Sequence, residues 1–595
     1  MRKISVCLLV VVMIFTGCQT VPVSSEVTSS EEVVSEVTYS EVSSEDASAE
    51  VSSEEVSSEP ESSEETSSVE EEYEGPVADG YEGFITVDGK KLIDENGKEY
   101  YIKGMAFGNS VFINPKSPSI YHHSEADFKN LADLGFNSVR FYLNYGLFED
   151  DSTPYEYREV GFEWFDKNIK WAKEYGIRLV LNMHYPQGGY QSGGNGHALW
   201  TDGENVKRLT ALWTEIAKRY ADEPTILGYG LINEPGIPVE NKNDAMPIYQ
   251  AAVQGMVDSI RTVDKKHIIF VEKLGFIQDP VTLKRSWITL NDRGNWPEVV
   301  GDNIVYEFHT YDPFTFTHQK DADNVVYYPN PSKIENSGDA QVLSTINGAK
   351  SDPNLTEWQE LATEPVFCTE ENQIIRFNIV TSYIGVGGKV YIDNISLKEF
   401  DADGNFVQTL HNPSYNEKTT VYFWSATPNK LTGYSKTEGV DGTSCIWVGD
   451  IDKYGDGASA SFLGKPDHNY VASVSVKLEN TAPNVTVYPR IAIYSSSGIQ
   501  VADKAYLEEV FASKIAFSEQ HNVPIYCGEF GANNHCFSSG GEVWVSDMLD
   551  ILMDNGIHFN YHAYHEPLFG LYRSSNSLPG DVNQKLYDVF VEKLK

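Results

Sequence analysis

"IRLVLNMHY" (177–185) and "ILGYGLINEP" (226–235) are two short apolar runs separated by a segment of helical periodicity at 204–220. Short apolar runs that alternate with amphipathic helices are typical of parallel strands joined by crossover helices. The second run ends in Asn233 and Glu234, an amide beside a carboxylate. This stretch therefore predicts a parallel α/β fold with polar side chains at the carboxyl end of a strand.

The same alternation extends in both directions from this stretch. Further strands are predicted at 101–107, 136–142, 267–273, 303–311, 523–531 and 557–567, after a hairpin at 83–104. Further helices are predicted near 124–134, 161–175, 245–262, 502–520, 541–554 and 580–594. Eight strand–helix units indicate a (β/α)₈ TIM barrel.

The alternation is interrupted between residues 325 and 500. This segment has many short runs of Val, Ile, Tyr and Thr between Gly, Asn, Asp and Pro, with no long amphipathic helical pattern. Such a composition is typical of an all-β domain. We therefore predict an α/β barrel formed by residues 75–324 and 501–595. An all-β jelly-roll (β-sandwich) domain at 325–500 is inserted after strand six.

The N-terminus has the features of a bacterial export signal. Arg2 and Lys3 precede an apolar stretch at 4–15, which is too short to span a bilayer stably. The motif FTGC, which ends at Cys18, resembles a lipobox, whose Cys is lipidated after cleavage. We predict a signal peptide at 1–18 and an extracellular location, as a cell-surface lipoprotein of a bacterium or otherwise as a secreted protein.

Residues 19–74 consist mainly of Ser, Glu, Val and Thr, and residues 24–74 contain no Lys or Arg. Such a segment buries too little apolar surface to fold, so we predict a disordered linker. The whole chain has a formal net charge of −42. This charge argues against nucleic acid and anionic membranes as partners and is compatible with a neutral ligand. We expect a monomer that contacts a membrane only through a lipid anchor.

Four Cys residues follow the signal, at positions 368, 445, 527 and 536. So few Cys in a secreted chain of this size do not indicate a disulfide scaffold. The sequence is compatible with Cys368–Cys445 and Cys527–Cys536 disulfides, and equally with free buried thiols. No CxxC motif or His-rich metal spacing occurs in the sequence, so no required cofactor is expected.

Catalytic groups of such barrels lie at the carboxyl ends of the strands and face one pocket. The residues at these predicted positions are Arg140, His184, Asn233, Glu234, His309, Tyr311 and Glu529. Two carboxylates on strands four and seven suit retaining glycoside hydrolysis. In that reaction one carboxylic acid protonates the leaving oxygen and the other carboxylate, about 5–5.5 Å away, attacks the anomeric carbon.

The motifs SVRFY, NMHY, INEP, FHTYDP and GEFG resemble glycoside hydrolase family 5, over residues 83–320 and 502–595. Each motif is weak alone, but the matches occur in order and each lies at a predicted strand end. The resemblance implies that Glu234 is the acid/base and that Glu529 is the nucleophile. It also implies that Asn233 hydrogen-bonds the 2-OH group of the sugar.

The same resemblance implies supporting roles for four further residues. Arg140 is expected to support the nucleophile. His184, His309 and Tyr311 are expected to surround the reacting sugar. Taken singly, His184 and His309 are also compatible with histidines of the core.

Strand eight departs from the family pattern, in which a Trp provides the platform that stacks on the sugar. The sequence NYHAYHEP has His562 at that position, with Tyr561 and Tyr564 beside it. A Tyr ring can also stack on a pyranose face. We therefore predict that Tyr561, His562 and Tyr564 contribute to substrate binding.

Several aromatic residues outside the motifs lie on predicted loops. Trp200 and Tyr190 belong to a Gly-rich loop after strand three, where loops commonly line the cleft of a barrel. We predict that Trp200 or Tyr190 stacks on sugar. Trp287 and Trp296 follow strand five and are further candidates.

Residues 387–404 resemble the closing strand of jelly-roll carbohydrate-binding modules. In those modules, segments like 412–424 and 469–478 come before the closing strand. The changed order suggests a circularly permuted module, whose new termini allow insertion into a loop. Because the insertion follows a strand end of the catalytic face, the module is expected beside the cleft.

The role of the inserted domain is open at this stage. Trp424, Tyr434 and Trp447 could form a stacking face for a glycan, although aromatic residues of β-sandwiches are more often part of the core. Glycan binding and a scaffold role are therefore both compatible with the sequence. Asp393 is a candidate ligand for a structural calcium, as in some relatives of this fold.

Together these features predict a retaining endo-β-1,4-glycanase, of cellulase or β-glucanase type, that acts on a neutral plant polysaccharide. An endo-β-mannanase or a xyloglucanase is an alternative, because the same catalytic frame serves all of them. A non-catalytic glycan-binding lipoprotein of the cell surface is an alternative of another class. Measurement of reducing ends released from different polysaccharides distinguishes these three predictions.

Overall fold

Eight of the short apolar runs form a closed barrel of parallel strands. In the computed structural model, the described residues are 83–111, 123–291, 293–319, 326–334, 341–370, 373–413, 423–425, 431–495, 499–574, 577 and 579–595. The predicted signal peptide at 1–18 and linker at 19–74 lie outside them. Among the described residues, no helix is both long enough and apolar enough to cross a membrane.

The first part of the chain contains most of the barrel. In chain order its elements are β1 (Thr86–Asp88), β2 (Lys91–Ile93), β3 (Lys103–Phe107), α1 (Glu125–Asp133), β4 (Ser138–Asn144), β5 (Glu149–Asp150), β6 (Thr153–Tyr157), α2 (Glu159–Glu174), β7 (Arg178–Tyr185), α3 (Ala198–Thr201) and α4 (Gly203–Tyr220). They continue with β8 (Ile226–Gly230), β9 (Gly236–Pro238), α5 (Ala245–Arg261), β10 (Ile268–Glu272), β11 (Phe276–Gln278), β12 (Arg285–Ser286), β13 (Ile304–His309) and α6 (Phe314–Thr317).

The second part contains the inserted strands and the end of the barrel. The inserted strands are β14 (Asn330–Ile334), β15 (Val342–Asn347), β16 (Gln359–Ala362), β17 (Val366–Phe367), β18 (Ile374–Ser382), β19 (Lys389–Phe400), β20 (Phe406–His411), β21 (Phe423–Ser425), β22 (Leu431–Ser435), β23 (Cys445–Gly449), β24 (Tyr454–Leu463), β25 (Asn469–Glu479), β26 (Thr486–Tyr494) and β27 (Ile499–Ala502). The chain ends with α7 (Lys504–His521), β28 (Ile525–Phe530), α8 (Gly541–Asp554), β29 (His558–Tyr561) and α9 (Gln584–Leu594).

The barrel strands follow the order β3-β4-β7-β8-β10-β13-β28-β29, and β29 pairs with β3 to close the barrel. The neighbouring strands are parallel throughout. The strands of the β-sandwich come between barrel strands six and seven in the chain. The predicted fold class, a TIM barrel with a β-sandwich inserted after strand six, is confirmed.

Side chains of β7 show how alternation builds the barrel and its site. Leu179, Leu181 and Met183 face outward and join the core between strands and helices. Val180 faces inward and belongs to an apolar cluster that fills the barrel. Nearer the carboxyl end, the same inward face carries the polar side chain of His184. The barrel interior therefore changes from apolar to polar toward the ends of its strands.

The fifth strand–helix unit differs from the prediction of eight such units. Among the described residues between β10 and β13, no α-helix follows the strand. The place of a helix is taken by Trp296, whose ring is buried and stacks on Phe517 of α7 with ring centres 4.0 Å apart. Its Nε1 donates to the backbone oxygen of Glu307. One large aromatic side chain thus covers this part of the barrel wall.

The inserted strands form two antiparallel sheets that enclose a second core. One sheet has the order β15-β26-β18-β24-β21, and the other has the order β16-β25-β19-β23-β22 with β17 and β20 attached. Ile379, Val390 and Val474 are among the buried residues between them. Residues 414–422, part of the segment compared with an opening strand, lie outside the described residues. The circular permutation stays a prediction.

A two-stranded ribbon leads into and out of the β-sandwich. Strand β14 pairs antiparallel with β27. Just before β14, Tyr328 donates from its hydroxyl to Asp547 of the barrel helix α8 at 2.8 Å. The neighbouring Tyr327 packs on Phe462 of the sandwich, and its hydroxyl lies 3.0 Å from Nδ1 of His411. Consecutive tyrosines therefore contact the barrel on one side and the sandwich on the other.

The four Cys residues beyond the signal are free and buried in the structure. Burial raises the pKa of the Cys368, Cys445 and Cys536 thiols to about 12, and it raises the pKa of Cys527 further. These thiols are protonated at neutral pH and act as small apolar side chains. Of the two alternatives open from the sequence, the structure shows free thiols.

Candidate active site

Polar side chains from several strands meet at the carboxyl end of the barrel. On β4, Arg140 and Tyr142 are two positions apart and therefore share the inward face of the strand. On β13, Glu307 and His309 have the same relation. Glu529 comes from near the end of β28. Because the strands are parallel, these positions lie at one end of the barrel and enclose a single pocket.

Arg140 lies at the centre of this group and is fully buried. Its NH1 donates to Oε1 of Glu529 at 2.6 Å, and its NH2 lies 2.9 Å from Oε1 of Glu307. NH2 also donates to Oδ1 of Asn233 at 2.9 Å. Burial opposes the charge of Arg140, but these carboxylates raise its pKa well above the usual value. Arg140 is therefore a fixed positive charge between β8, β13 and β28.

Glu529 accepts hydrogen bonds on both carboxylate oxygens. The hydroxyl of Tyr142 donates to Oε1 and the hydroxyl of Tyr311 donates to Oε2, each at 2.8 Å. Burial opposes its ionisation, but the positive charges of His309 and Arg140 outweigh burial and hold the pKa of Glu529 well below its usual range. An ionised carboxylate with a fixed orientation is suited to nucleophilic attack.

Glu234 faces the same pocket but is more open to solvent. Its side chain is 30% exposed, against 6% for Glu529. Its backbone has φ of 42°, and its N–H donates to Oε2 of Glu272 at 2.9 Å. Carboxylate oxygens of Glu234 and Glu529 lie within 4.8 Å of each other. Two carboxyl groups in different surroundings thus face one narrow gap.

His309 lies between the two carboxyl groups. The strand register shifts between Phe308 and His309, and the shift pairs His309 with Glu529 of β28. Its Nδ1 is 2.9 Å from Oε1 of Glu234 and 3.7 Å from Oε2 of Glu529. The bulge therefore directs the imidazole toward both acids.

The other ring nitrogen of His309 faces a second layer of charges. Nε2 lies 3.5 Å from Glu307, 3.6 Å from Glu272 and 3.2 Å from NH2 of Arg140. The contact with Arg140 favours a neutral ring, whereas the carboxylates favour a charged one. Burial also favours the neutral ring, but the surrounding carboxylates, Glu272 and Glu529 first, raise the pKa of His309 well above its usual value. The carboxylates around His309 therefore outweigh the effect of burial on its pKa.

Stacked rings form the wall of the pocket beside Glu529. Tyr142 stacks on His184 with ring centres 3.9 Å apart, and the ring of His562 lies parallel at 6.0 Å. Burial holds the pKa of His184 well below its usual value, and its Nδ1 is 3.0 Å from Oδ1 of Asn182. Against the effect of burial, a hydrogen bond to Glu566 raises the pKa of His562. The pKa values of the two histidines beside Tyr142 are therefore shifted in opposite directions.

The structure brings seven predicted residues to the pocket, and His562 is an eighth. The seven are Arg140, His184, Asn233, Glu234, His309, Tyr311 and Glu529. Asn233 is held by Arg140 on one side and on the other donates through Nδ2 to Oγ of Ser192 at 3.1 Å. Its amide is thereby fixed beside Glu234.

Tyr561 and Tyr564, predicted to bind substrate, lie away from the pocket. Tyr561 occupies an outward-facing position of β29 and is buried between Phe530 and Phe590. Tyr564 is also fully buried, and its hydroxyl accepts from Nδ2 of Asn130 on α1 at 3.3 Å. Tyr561 points outward at the end of β29 and Tyr564 is buried against α1, so of the three only His562 faces the site, which corrects the prediction for both tyrosines.

The tryptophans predicted on loops also differ in position. Trp200 packs against Tyr249 of α5 and donates through Nε1 to Gln191, so it braces its own loop and does not reach the acids. Trp296 is buried in the barrel wall, which corrects the prediction for it as well. Trp287 is 57% exposed and follows β12, on a small sheet that continues β8 and β10 beyond the barrel.

Four residues of the site were missed by the sequence analysis. They are Tyr142, Ser192, Glu272 and Glu307. Tyr142 and Glu307 each lie two positions from a predicted site residue on the same strand, and strand alternation could have identified them. Glu272 ends its strand in VEK, which the rule of strand ends could have selected. Ser192 belongs to a loop, and we find no signal for it.

Three sets of described residues bring potential metal ligands within 4.8 Å of one another. They are Glu234, His309 and Glu529; Glu272, Glu307 and His309; and His123, Asp127 and His565. The first two sets are the ion pairs of the pocket itself. In the third, Asp127 accepts from Ser124 and from Ser577, and the rings of His123 and His565 stack. Protein donors therefore contact the carboxylates of all three sets.

A family model described as cellulase (glycosyl hydrolase family 5) matches residues 93–379. The matched segment runs from β2 through β13 into β18 of the sandwich. It includes Arg140, Asn233, Glu234 and His309. Strand β28, with Glu529, lies beyond the matched residues.

Curated relatives are similar to parts of this chain. Endoglucanase C of Acetivibrio thermocellus is 30% identical over 197 residues, which are 33% of this chain and 52% of that protein. Endoglucanase 3 of Fibrobacter succinogenes is 29% identical over 254 residues, 41% of this chain and 36% of that protein. A solved structure of Thermotoga maritima Cel5A with cellobiose covers 82% of this chain and 97% of its own, at 16% identity and a TM-score of 0.42. The chain spans about half the length of the first relative.

Proposed function

We propose that this chain, which contains a glycosyl hydrolase family 5 (cellulase) domain, is a retaining endo-β-1,4-glycanase. Glu529 is the nucleophile and Glu234 is the acid/base of a double displacement. A neutral plant cell-wall β-glucan is the substrate that we favour, because the two relatives described above are endoglucanases. Both steps use carboxyl groups of the chain and water, so the proposed reaction requires no cofactor.

The observation that carries this proposal is the short gap between Glu234 and Glu529. Their nearest oxygens lie within 4.8 Å. Retaining enzymes have carboxyl groups about 5–5.5 Å apart, whereas inverting enzymes need about 6.5–9.5 Å to admit a water molecule. The unequal surroundings of the two groups support unequal roles, because a buried, ion-paired carboxylate stays ionised while an acid must carry a proton.

In the first step, a carboxylate oxygen of Glu529 forms a bond to the anomeric carbon. The bond from that carbon to the leaving oxygen breaks, and Glu234 gives its proton to the leaving oxygen. Arg140 and Tyr311 hold Glu529 in one orientation. Asn233, fixed beside Glu234, is placed to hydrogen-bond the sugar 2-OH.

In the second step, water replaces the enzyme on the anomeric carbon. Glu234, now a carboxylate, takes a proton from this water as the water oxygen bonds to carbon and the bond to Glu529 breaks. Glu234 regains its proton and Glu529 its negative charge. Two displacements at the same carbon leave the anomeric configuration unchanged.

The proposed function is tested by incubating the protein with barley β-glucan, carboxymethylcellulose, glucomannan and xyloglucan. We expect new reducing ends from the glucans, a β-anomer as the first product in proton NMR, and no activity for Glu529→Ala. Preferred cleavage of glucomannan or xyloglucan would instead support the endo-β-mannanase or xyloglucanase alternative. Binding without cleavage would support a glycan-binding lipoprotein and overturn the enzyme assignment.

We also propose that the inserted β-sandwich binds glycan, as carbohydrate-binding modules do. On the outer face of its second sheet, Trp447 pairs across strands with Tyr391, and Tyr391 pairs with Lys477. Nζ of Lys477 lies 5.6 Å from the centre of the Trp358 ring. Trp447, Tyr391 and Lys477 lie on three neighbouring strands and Trp358 comes just before β16, so the four residues form one row. Aromatic rings in such a row can stack on successive sugars.

A polar groove adjoins this aromatic row. Ser396, Ser473 and Ser475 line it, with Glu360 and Lys398 among its other lining residues, and its volume is about 360 Å³. Hydroxyl and charged groups beside aromatic rings suit the hydroxyl-rich face of a polysaccharide. Of the other aromatic candidates, Tyr434 is on β22 at the edge of the sheet, and the side chain of Trp424 lies outside the described residues.

The remaining expectations about the whole protein are also proposals. We propose a monomer that is exported and held at the bacterial cell surface by a lipid on Cys18, or that is otherwise secreted. A structural calcium at Asp393 would compete with hydrogen bonds that Asp393 already accepts from the N–H groups of Asn394 and Val440. Metal analysis of the purified protein tests that calcium.

A further inference from the structure

Two buried carboxyl groups take no direct part in the double displacement described above. The side chains of Glu272 and Glu307 are 4% and 1% exposed. A buried carboxyl group destabilises a protein unless its surroundings compensate. Glu307 is 2.9 Å from NH2 of Arg140, whereas Glu272 is 4.0 Å from the same atom. Glu307 therefore has a close guanidinium partner, whereas the ionic contacts of Glu272 are longer, 4.0 Å to Arg140 and 3.6 Å to Nε2 of His309.

Glu272 contacts the acid/base candidate Glu234 through the backbone. Its Oε2 accepts the N–H of Glu234 at 2.9 Å. Glu234 has φ of 42°, a left-handed conformation that residues other than glycine rarely adopt. Such a conformation persists only where neighbouring groups hold it. The hydrogen bond to Glu272 is one such contact.

The same oxygen of Glu272 also faces the side chain that contacts the Glu234 carboxyl. Oε2 of Glu272 lies 3.6 Å from Nε2 of His309. On the other side of the ring, Nδ1 of His309 lies 2.9 Å from Oε1 of Glu234. One carboxyl oxygen thus approaches both the backbone of Glu234 and the imidazole that orients its carboxyl group.

We propose that Glu272 is a positioning residue for proton transfer, which holds Glu234 by its backbone and, through His309, by its carboxyl group. This inference rests on the proposed function, in which Glu234 is the acid/base. Glu307 acts on the opposite side of the reaction, because it contacts Arg140, which in turn contacts the nucleophile Glu529. Glu307 also lies 3.5 Å from Nε2 of His309, but of the two buried carboxyl groups it is Glu272 that accepts the backbone N–H of Glu234.

Charged and titratable groups surround Glu272 on every side. They are Arg140 on β4, Glu234 after β8, Tyr249 on α5, the adjacent Lys273, and Glu307 and His309 on β13. Burial, with the negative charges of Glu307 and Glu234, raises the pKa of Glu272 well above its usual value despite the opposing effect of His309. A neutral carboxyl group still offers an oxygen to the N–H of Glu234. An amide in its place would do the same.

The test compares two substrates that differ in their need for an acid. The leaving group of 2,4-dinitrophenyl β-cellobioside departs without protonation, whereas the leaving sugar of cellotetraose must be protonated. We expect Glu272→Ala to lower kcat/KM on cellotetraose by about 100-fold, the order of a general-acid contribution, and on the dinitrophenyl substrate by less than about 5-fold. Glu272→Gln should keep kcat/KM for both substrates within about 5-fold of wild type, because the amide oxygen of Gln can accept the same N–H of Glu234.

Control variants separate positioning from folding. Asp264 is buried in the turn that precedes the same strand, where it contacts Tyr229 and His267. Asp264→Asn should lower thermal stability without affecting the two substrates differently. Glu307→Gln should lower kcat/KM on both substrates, since it acts on the nucleophile. If Glu272→Ala does not fold, Glu272→Asp takes its place, because it retracts the carboxyl group by one methylene. Glu272→Asp must then lower kcat/KM more on cellotetraose than on the dinitrophenyl substrate, by a smaller factor than expected for Glu272→Ala.

The outcomes distinguish this inference from the proposed function. Cleavage of neither substrate by the wild-type protein would overturn the proposed function itself. If Glu234→Gln separates the substrates but Glu272→Ala, or Glu272→Asp in its place, lowers both equally, the positioning role is overturned and the proposed function stands. Failure of Glu272→Gln to restore cleavage of cellotetraose would also overturn it.

Discussion

The hydroxyl of Tyr311 donates a hydrogen bond of 2.8 Å to Oε2 of Glu529, although the two residues are 218 positions apart in the chain. Tyr311 follows β13 and Glu529 lies on β28; these strands are neighbours in the barrel, and the whole β-sandwich comes between them in the chain. Long insertions between neighbouring strands are tolerated where the ends stay close together. The same insertion accounts for the long sequence separation of the two proposed catalytic acids, Glu234 and Glu529.

Removing this hydroxyl should weaken the nucleophile. We expect Tyr311→Phe to lower kcat/KM by about 10- to 100-fold, because a hydrogen bond to a charged group contributes about 1.5–3 kcal/mol. The phenyl ring keeps the packing, so the melting temperature should change little. Kinetics on cellotetraose and a thermal melt measure the two effects, and an unchanged kcat/KM would contradict the role of Tyr311.

The same change should alter the pH dependence of activity. The positive charges of His309 and Arg140 hold the pKa of Glu529 low, so the wild-type protein should lose activity only below about pH 4, the ordinary range of a glutamate. Protonation of Glu529 at lower pH removes the nucleophile. Loss of the Tyr311 donor favours the protonated form, and the acid limb of kcat/KM should move to higher pH in Tyr311→Phe. A limb that moves to lower pH would contradict this assignment.

Two histidines that are buried without charge should contribute less to stability in mild acid. Burial lowers the pKa of His411 to about 4 and the pKa of His558 to about 3. The unfolded chain binds protons at these residues below about pH 6.5 while the folded chain does not, so the contribution of these two residues to stability rises with pH. Between about pH 6.5 and the folded pKa, each histidine should cost up to about 1.4 kcal/mol per pH unit.

One variant isolates the contribution of His558. Its Nδ1 accepts the N–H of Ile102 at 3.2 Å, and Asn offers a similar acceptor without a titrating ring. We expect His558→Asn to reduce the loss of stability between pH 7 and pH 4, measured by urea unfolding at several pH values. An equally steep pH dependence in the variant would show that His558 does not titrate as inferred.

Neighbouring residues of strand eight should have different effects. Tyr561 is packed among aromatic rings of the wall, so Tyr561→Ala should lower the free energy of unfolding by about 3–5 kcal/mol and leave KM unchanged where the protein is folded. His562 faces Tyr142 in the pocket, and His562→Ala should lower kcat/KM with a smaller loss of stability. Urea unfolding and kinetics at low temperature measure both. A raised KM in Tyr561→Ala would restore it as a substrate contact.

The outer face of the sandwich should matter for polymers. Trp447→Ala and Trp358→Ala remove rings from the proposed row, and we expect each to weaken adsorption to insoluble β-glucan by about 10-fold, since stacking contacts contribute about 0.5–1.5 kcal/mol each. Val386, 90% exposed on a loop outside the row, provides the control Val386→Ala. Pull-down isotherms measure adsorption. Equal adsorption of all four proteins would favour a scaffold role.

The barrel could be predicted from the sequence because its strands and helices have clear hydrophobic periods. The rule of strand ends then selected Glu234 and Glu529 without any tertiary information, and the structure brings their carboxyl groups together. The rule failed where side-chain direction decides the outcome: Tyr561 and His562 are adjacent, yet only one faces the pocket. Choosing between them requires the strand register, which an aromatic-rich segment does not reveal.

Other features depend on contacts between distant parts of the chain. Glu272 and Glu307 look like ordinary polar residues of strands until Arg140 and His309 are placed beside them. In the sequence, Trp296 looks like a loop residue. The described residues of its segment form no α-helix, and Trp296 covers the part of the barrel wall that such a helix would cover. Such roles depend on three-dimensional packing and cannot be predicted from local sequence patterns.

The paired strands β14 and β27 also bear on the order in which the protein folds. An unfolded segment between β13 and β28 would impose the entropy of closing a long loop on the last steps of barrel assembly. A sandwich that forms on its own core first brings β14 and β27 together and shortens that loop to the segments between β13 and β14 and between β27 and β28. We therefore expect the inserted domain to fold early. Its folding should bring the final barrel strands β28 and β29, with the proposed nucleophile Glu529, close to the strands with which they pair.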